Sequence, residues 1–321
     1  METKMKLFVA AVLCLATFAG CSREENGKYA NGDGMSLPKF TATIDGVKTR
    51  AFDRQWEAGD EIGISADSYS NICYQTKDGD GKFSVKTPGN EIYFNPNEEV
   101  TFTAYYPWNI VGGVTAISAD TREQSKQKSF DFLWAQASSK KGSPEVAFNF
   151  AHKMANLILK IRFASGVSLE NLKIERFWFL GLMHNGTFSI SDGSTSLEDN
   201  KMEIWAFFDS FDPSNNAPVT VDEASGAMTF SLIFFPQKFD SPLSFSAQSV
   251  GEGENNWRAK IDFTEANRQK DGADAKNELV GGRQYILTML FSGKALSVED
   301  IHLVDKWFYD GSEDVDAKLI Y

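Results

Sequence analysis

Apolar and polar residues alternate in short runs along most of this chain, the period of half-buried β-strands. Phe40-Thr41-Ala42-Thr43-Ile44 is the first such run and stops at Asp45-Gly46. Ile72 to Gln75 and Phe83 to Val85 flank Asp78-Gly79-Asp80-Gly81, a turn composition that predicts a hairpin. Val100 to Tyr106 alternates and ends at Pro107, and Val146 to Phe150 repeats the pattern. Leu157, Leu159, Ile161 and Phe163 then share one face, with Lys160 and Arg162 on the other. The second half continues in the same style. Asn185-Gly186 predicts a type I′ turn before Phe188 and Ile190. Met228 to Phe234, Leu243 to Ala247, Trp257 to Phe263 and Tyr285 to Phe291 each predict a strand. No long helical period competes, and short helical pieces are expected near Ser125 to Asp131 and Thr264 to Gln269. Many short, turn-separated strands predict an all-β chain of β-sandwiches.

The first residues break this pattern. Lys4 and Lys6 precede an apolar run from Leu7 to Phe18 that is short for a membrane-spanning helix and fits a secretory signal. It ends in Phe18-Ala19-Gly20-Cys21, small residues directly before a cysteine, similar to a bacterial lipobox with Phe in place of the usual Leu. Cys21 is therefore the expected lipidation site, and a doubly acylated cysteine would hold the chain stably on a membrane. Residues 22–36 are polar and Gly-rich, a flexible tether. Ser22-Arg23-Glu24-Glu25 is similar to the acidic stretch that follows the lipidated cysteine in surface-exposed lipoproteins of some Gram-negative lineages. The predicted organisation is a lipoprotein signal peptide at 1–20, a tether at 21–37, and β-sandwich domains at 38–165 and 166–321.

The 321 residues accommodate two domains of ordinary size. A net charge of -12 opposes nucleic-acid binding, which needs clustered Lys and Arg. With Cys14 in the signal and Cys21 acylated, Cys73 stands alone, which leaves no internal disulfide and no cysteine-based metal site. His152, His184 and His302 lie far apart, and the chain has no HExxH, G-x-S-x-G, P-loop or Cys-x-x-Cys motif. No catalytic residue, metal or cofactor is assigned, and an enzyme is not expected. Asp78 to Gly81 lacks the ligand spacing and closing Glu of an EF-hand and reads as a turn. Of the seven Trp, several lie in alternating apolar strands and are expected in the core. Trp108 and Trp257 stand beside polar or turn residues and are the candidates for a sugar-stacking surface.

Five segments occur in order after the lipobox: Thr49-Arg50-Ala51, Trp56 to Ile64, Phe102 to Pro107, Asp131 to Ala135, and Val146 to Met154. Together they resemble the fimbrillin family of Bacteroidota-type pilus proteins, most clearly from Phe40 to Ile161 and through general β-pattern beyond. The resemblance implies two consecutive transthyretin-like β-sandwich domains and export as a lipoprotein to the cell outer membrane. It also implies cleavage by an arginine-specific protease at Arg50-Ala51. That cut would release the lipid and the Phe40 to Ile44 strand, and the opened groove would take a strand from a neighbouring subunit. The candidate donor is Asp316 to Tyr321, with Leu319 and Tyr321 on one face. The implied partners are other pilus subunits, with a host or bacterial surface receptor as a further one. Two other readings stay open: an uncleaved pilus anchor, and a glycan-binding surface lipoprotein. A hydrolase would require a cleft of converging carboxylates or histidines.

Overall fold

The computed structural model describes residues 36–44, 56–94, 98–109, 115–140, 142–198, 203–209, 219–222, 224–249, 256–304 and 307. Eight strands come first: β1 Lys39–Ile44, β2 Glu61–Ala66, β3 Tyr69–Gln75, β4 Lys82–Val85, β5 Val100–Tyr106, β6 Ala116–Asp120, β7 Leu133–Ser139 and β8 Glu145–His152. Seven of them close into a ring in the order β1-β4-β3-β2-β5-β7-β8. The closure runs through short corner pairings, two positions each at β1–β4, β3–β4 and β7–β8. The period-two runs end inside this ring, where strictly alternating burial along β8 sends Val146, Phe148 and Phe150 into the core. The Asp78 to Gly81 turn joins β3 to β4 as expected, with Gly79 at φ 69 and Gly81 at φ 77, conformations that glycine takes without strain.

The second lobe contains β9 Ala155–Phe163, helix α1 Leu169–Leu172, β10 Ile174–Leu182, β11 Asn185–Ser189, β12 Thr195–Leu197, β13 Glu203–Asp209, β14 Val219–Val221 and β15 Met228–Phe234. It continues with β16 Gln237–Lys238, β17 Leu243–Ser249, β18 Asn256–Ile261, helix α2 Thr264–Asp271, β19 Glu278–Leu279, β20 Gln284–Phe291 and β21 Leu296–Val304. A four-stranded sheet β13-β10-β17-β18 and a five-stranded sheet β14-β15-β9-β20-β21 supply one large core. Leu157, Leu159 and Ile161 of β9 lie in that core, and β9 pairs with β15 and β20. The expected division at Ser165 therefore falls on the far side of a strand that belongs to the second lobe. The alternation of β9 looks the same whichever core it faces, so periodicity alone cannot assign it.

The lobes share a joint. β6 leaves the ring and pairs with β11 in the three-stranded sheet β12-β11-β6. Around it Tyr105, Phe130, Phe132, Met154, Phe188, Ile233, Phe235 and Trp307 form a third core, with Phe132 and Phe188 stacked at 4.5 Å. β14 covers β15 only from Met228 to Phe230. Beyond it, the side chain of Gln124, from the short 3-10 helix Gln124–Ser129, acts as a substitute strand. Its Nε2 donates to the Ile233 carbonyl at 2.8 Å and its Oε1 accepts from Ile233 N–H at 2.9 Å. Gln127 Nε2 donates to the Ser231 carbonyl at 2.7 Å. Buried backbone groups are thereby satisfied by side chains of the other lobe.

Asn185-Gly186 is not a turn. Both residues lie within β11, paired with Asp120 and Ala119. Glycine stands there because of close approach: a Cβ at 186 would meet the Ser196 carbonyl at 2.5 Å and the Phe235 ring at 3.1 Å. Asn-Gly carries the same composition in a turn and in a crowded strand, and only tertiary contact separates the two.

Candidate functional site: the first strand and its groove

β1 seals the ring. It runs parallel to β8 through six register pairs, from Lys39 with Glu145 to Ile44 with Phe150. Its odd-numbered residues face outward. Thr43 Oγ1 donates to Asn149 Oδ1 at 3.2 Å, and Lys39 forms an exposed ion pair with Glu145 at 3.3 Å. Its even-numbered residues, Phe40, Ala42 and Ile44, are buried. The Phe40 ring packs edge-on to Tyr74 at 4.8 Å and Phe102 at 5.4 Å, and stacks on Phe148 at 5.8 Å.

On the β4 side, Ala42 N–H donates to the Gly81 carbonyl at 2.8 Å, and the buried indole Nε1 of Trp56 donates to the Ala42 carbonyl at 3.0 Å. Trp56 is itself packed by Phe83, Tyr106 and Phe150, with ring centroids at 5.0, 5.5 and 5.2 Å. Burial pushes the Tyr74 phenol up to about 12 and raises that of Tyr106 as well, so both floor residues are neutral at physiological pH. Just before β1, Ser36 and Phe94 exchange backbone hydrogen bonds of 3.0 and 3.2 Å. The surroundings of β1 are apolar and aromatic, and its backbone is hydrogen-bonded on both sides.

The sequence placed β1 and the β3–β4 turn. It did not reveal that Trp56 and Gly81 grip the middle of β1. Glycines at 79 and 81, two apart, carried the only trace. A Cβ at 79 would stand 2.4 Å from the Trp56 carbonyl, and one at 81 would stand 2.5 Å from the Ala42 carbonyl. Cys21, Arg50, Ala51, Leu319 and Tyr321, with the Asp45-Gly46 turn and the tether up to residue 35, lie outside the described residues.

The remaining candidates are accounted for by contacts. His152 Nδ1 lies 3.0 Å from Asp131 Oδ1, and its ring stacks on Trp307 at 3.9 Å. His184 Nδ1 lies 2.9 Å from Asp120 Oδ1, and His302 Nδ1 lies 2.5 Å from Asp300 Oδ2. Among the described residues, no three His, Cys, Asp or Glu side chains converge as a metal site. Trp257 is buried in the second core, against its reading as a surface candidate, because it lies on the inward face of β18. Trp108 is half-buried, with Lys86 Nζ 5.4 Å above its ring. It borders a shallow pocket of about 280 Å³ with Asp60, Glu61, Pro107 and Lys128. Those two carboxylates are held in ion pairs, Asp60 with Lys128 at 3.0 Å and Glu61 with Lys86 at 2.6 Å.

This geometry defines an all-β scaffold with a strand-shaped groove that the chain fills with its own first strand. The chain belongs to the fimbrillin-like family, whose model matches residues 49–305. It is 32% identical over 180 residues to the "Putative fimbrium subunit Fim1C" of Bacteroides uniformis. That match spans 52% of this chain and 58% of the relative, so the chain covers under two thirds of the curated protein it matches. Two crystal structures share the fold. One, described as "a putative cell adhesion protein" from Bacteroides uniformis, has a TM-score of 0.62 at 20% identity and covers 84% of this chain and 98% of its own. The other, described in the same words and from Bacteroides ovatus, has a TM-score of 0.62 at 23% identity, covering 86% and 99%.

Proposed function

We propose that this chain is a subunit of a cell-surface fimbrium, exported as a lipoprotein acylated at Cys21 and held at the outer membrane. Cleavage at Arg50-Ala51 separates β1 from the body of the first lobe, and a strand from a neighbouring subunit fills the groove. Family membership supports the structural role. The observation that carries the assembly step is β1 itself. It precedes Arg50 in the chain, forms a whole ladder of the ring, and seats Phe40, Ala42 and Ile44 among aromatic side chains. Burial of Phe40 and Ile44 is worth roughly 1.5–3 kcal/mol each, as an upper estimate. An empty groove would expose that surface with unpaired strand edges, which favours refilling by another strand.

The test is expression with the native signal, treatment of surface-exposed protein with an arginine-specific protease, and N-terminal sequencing beside unboiled denaturing gels. A new N-terminus at Ala51 with a ladder of stable oligomers is expected. An intact, lipidated monomer would overturn strand exchange and leave the uncleaved-anchor reading.

A further inference from the structure

The pocket beside Trp108 takes no part in the β1 ladder, yet its polar groups are held in fixed positions. Asp60, just before β2, is 8% exposed. Its Oδ2 accepts from Glu57 N–H at 2.7 Å, and its Oδ1 accepts from the Tyr106 hydroxyl at 3.3 Å and from Lys128 Nζ at 3.0 Å. A carboxylate offers about four lone-pair positions, so Oδ2 keeps an acceptor position in hand. Lys128, on the 3-10 helix, also gives an N–H to Glu57 at 2.6 Å, and the last N–H of its ammonium group is left over. A spare donor and a spare acceptor thus stand on adjacent side chains. Two neighbouring hydroxyl groups meet that demand, because each hydroxyl both donates and accepts. The half-buried Trp108 supplies an apolar wall beside them.

We propose that this pocket is a saccharide site for one neutral sugar ring, with two adjacent hydroxyls on Lys128 and Asp60 and the ring's C–H groups against Trp108. Charge argues for a neutral ligand. Lys86 is taken by Glu61 at 2.6 Å, and Lys128 by Asp60 and Glu57, so an anion would meet acidic neighbours and no unopposed cation. A cationic ligand would in turn have to compete with a bound lysine for either lining carboxylate. Size argues for a single ring. The pocket holds about 280 Å³, just under the roughly 300–1,000 Å³ of sites for drug-sized ligands. The site is independent of strand exchange, because every residue that lines it follows Arg50 and is kept with or without cleavage.

The experiment is saturation-transfer NMR on the full chain with the methyl glycosides of glucose, galactose, mannose, fucose and N-acetylglucosamine, each added separately. At least one is expected to bind with a Kd of about 1–10 mM, the range of a shallow contact to one ring. Trp108→Ala and Lys128→Met are each expected to weaken that binding by about tenfold or more. Lys39→Ala, on the exposed face of β1, should leave it unchanged. Inorganic phosphate should fail to displace the bound glycoside. The Lys128 side chain is 58% exposed, so Lys128→Met keeps the test decisive should Trp108→Ala fail to fold. Binding of none of the five glycosides would overturn the site. So would native affinity in either folded variant, or displacement by phosphate, which would mark an anion site instead.

Discussion

Phe40→Ala is the sharpest probe of how firmly β1 holds the first lobe together. The ring is 2% exposed and meets Tyr74, Phe102 and Phe148 at centroid distances of 4.8, 5.4 and 5.8 Å. Truncating a buried Phe to Ala costs about 3–5 kcal/mol through lost transfer energy and the cavity left behind. Neighbouring rings add about 0.5–1.5 kcal/mol per aromatic pair beyond area alone, which favours the upper part of that range. Converted at about 1.4 kcal/mol per tenfold, the population with β1 detached should rise by roughly two to three and a half powers of ten. The assay is native-state hydrogen exchange of the β1 and β8 amides in the uncleaved chain, with urea unfolding alongside. Lys39→Ala is the matched control. Its ion pair with Glu145 is exposed on both sides, so its effect should stay within about 0.5 kcal/mol. If Phe40→Ala costs under about 1 kcal/mol, β1 does not carry the lobe and the groove argument fails with it.

Three further outcomes follow from particular contacts. Gly186→Val should destabilise the joint by about 1–3 kcal/mol in thermal or urea unfolding, because its Cβ would stand 2.5 Å from the Ser196 carbonyl and 3.1 Å from the Phe235 ring. Arg283 binds Asp271 bidentately at 2.7 and 2.6 Å and holds its carboxyl below the usual range. A carboxylate lowered in the folded state stabilises above its unfolded pKa of about 3.9, and the contribution is lost as pH falls through the lower folded value. Arg283→Gln should therefore flatten the acid limb of a stability–pH curve while leaving its shape near neutrality unchanged. Burial, reinforced by the charge of Glu61, pushes the Cys73 thiol up to about 12. In a chain with Cys14→Ser and Cys21→Ser, Cys73 should react with a thiol reagent at pH 8 at least about a hundredfold more slowly when folded than in urea.

The strands were legible because their signal is local. β5 and β15 match their period-two runs residue for residue, and the hairpin between β3 and β4 announces itself by turn composition. What sequence could not supply is partnership. β9 alternates identically whether it faces the first core or the second, and it joins the second through β15 and β20. Gly186 carries a turn signature in a strand crowded by Phe235. Trp257 has polar neighbours because β18 is an edge strand with Arg258 and Lys260 facing out, while its own ring points inward. At the groove, β1 was readable and its grip was not. Nothing local to Trp56 or Gly81 says that one donates to Ala42 and the other accepts from it.

The strand-exchange proposal requires that β1 leave without dissolving the molecule. The inward residues of β1 belong to the first core alone, and neither the second core nor the joint contains any of them. The contacts binding the lobes together — Gln124 and Gln127 on β15, Phe132 on Phe188, and β6 on β11 — lie entirely downstream of Arg50. Trp56 and Gly81 lie downstream as well, so a chain opened at Arg50 keeps both groups that read the backbone of its former occupant. Loss of β1 therefore confines its cost to one core and two newly exposed edges, β4 and β8. The β4 edge is short, with two register pairs to β1, whereas β8 offers six. A replacement strand would draw its ladder mainly from β8, with the Trp56 indole and the Gly81 carbonyl adding one backbone contact each from the other side.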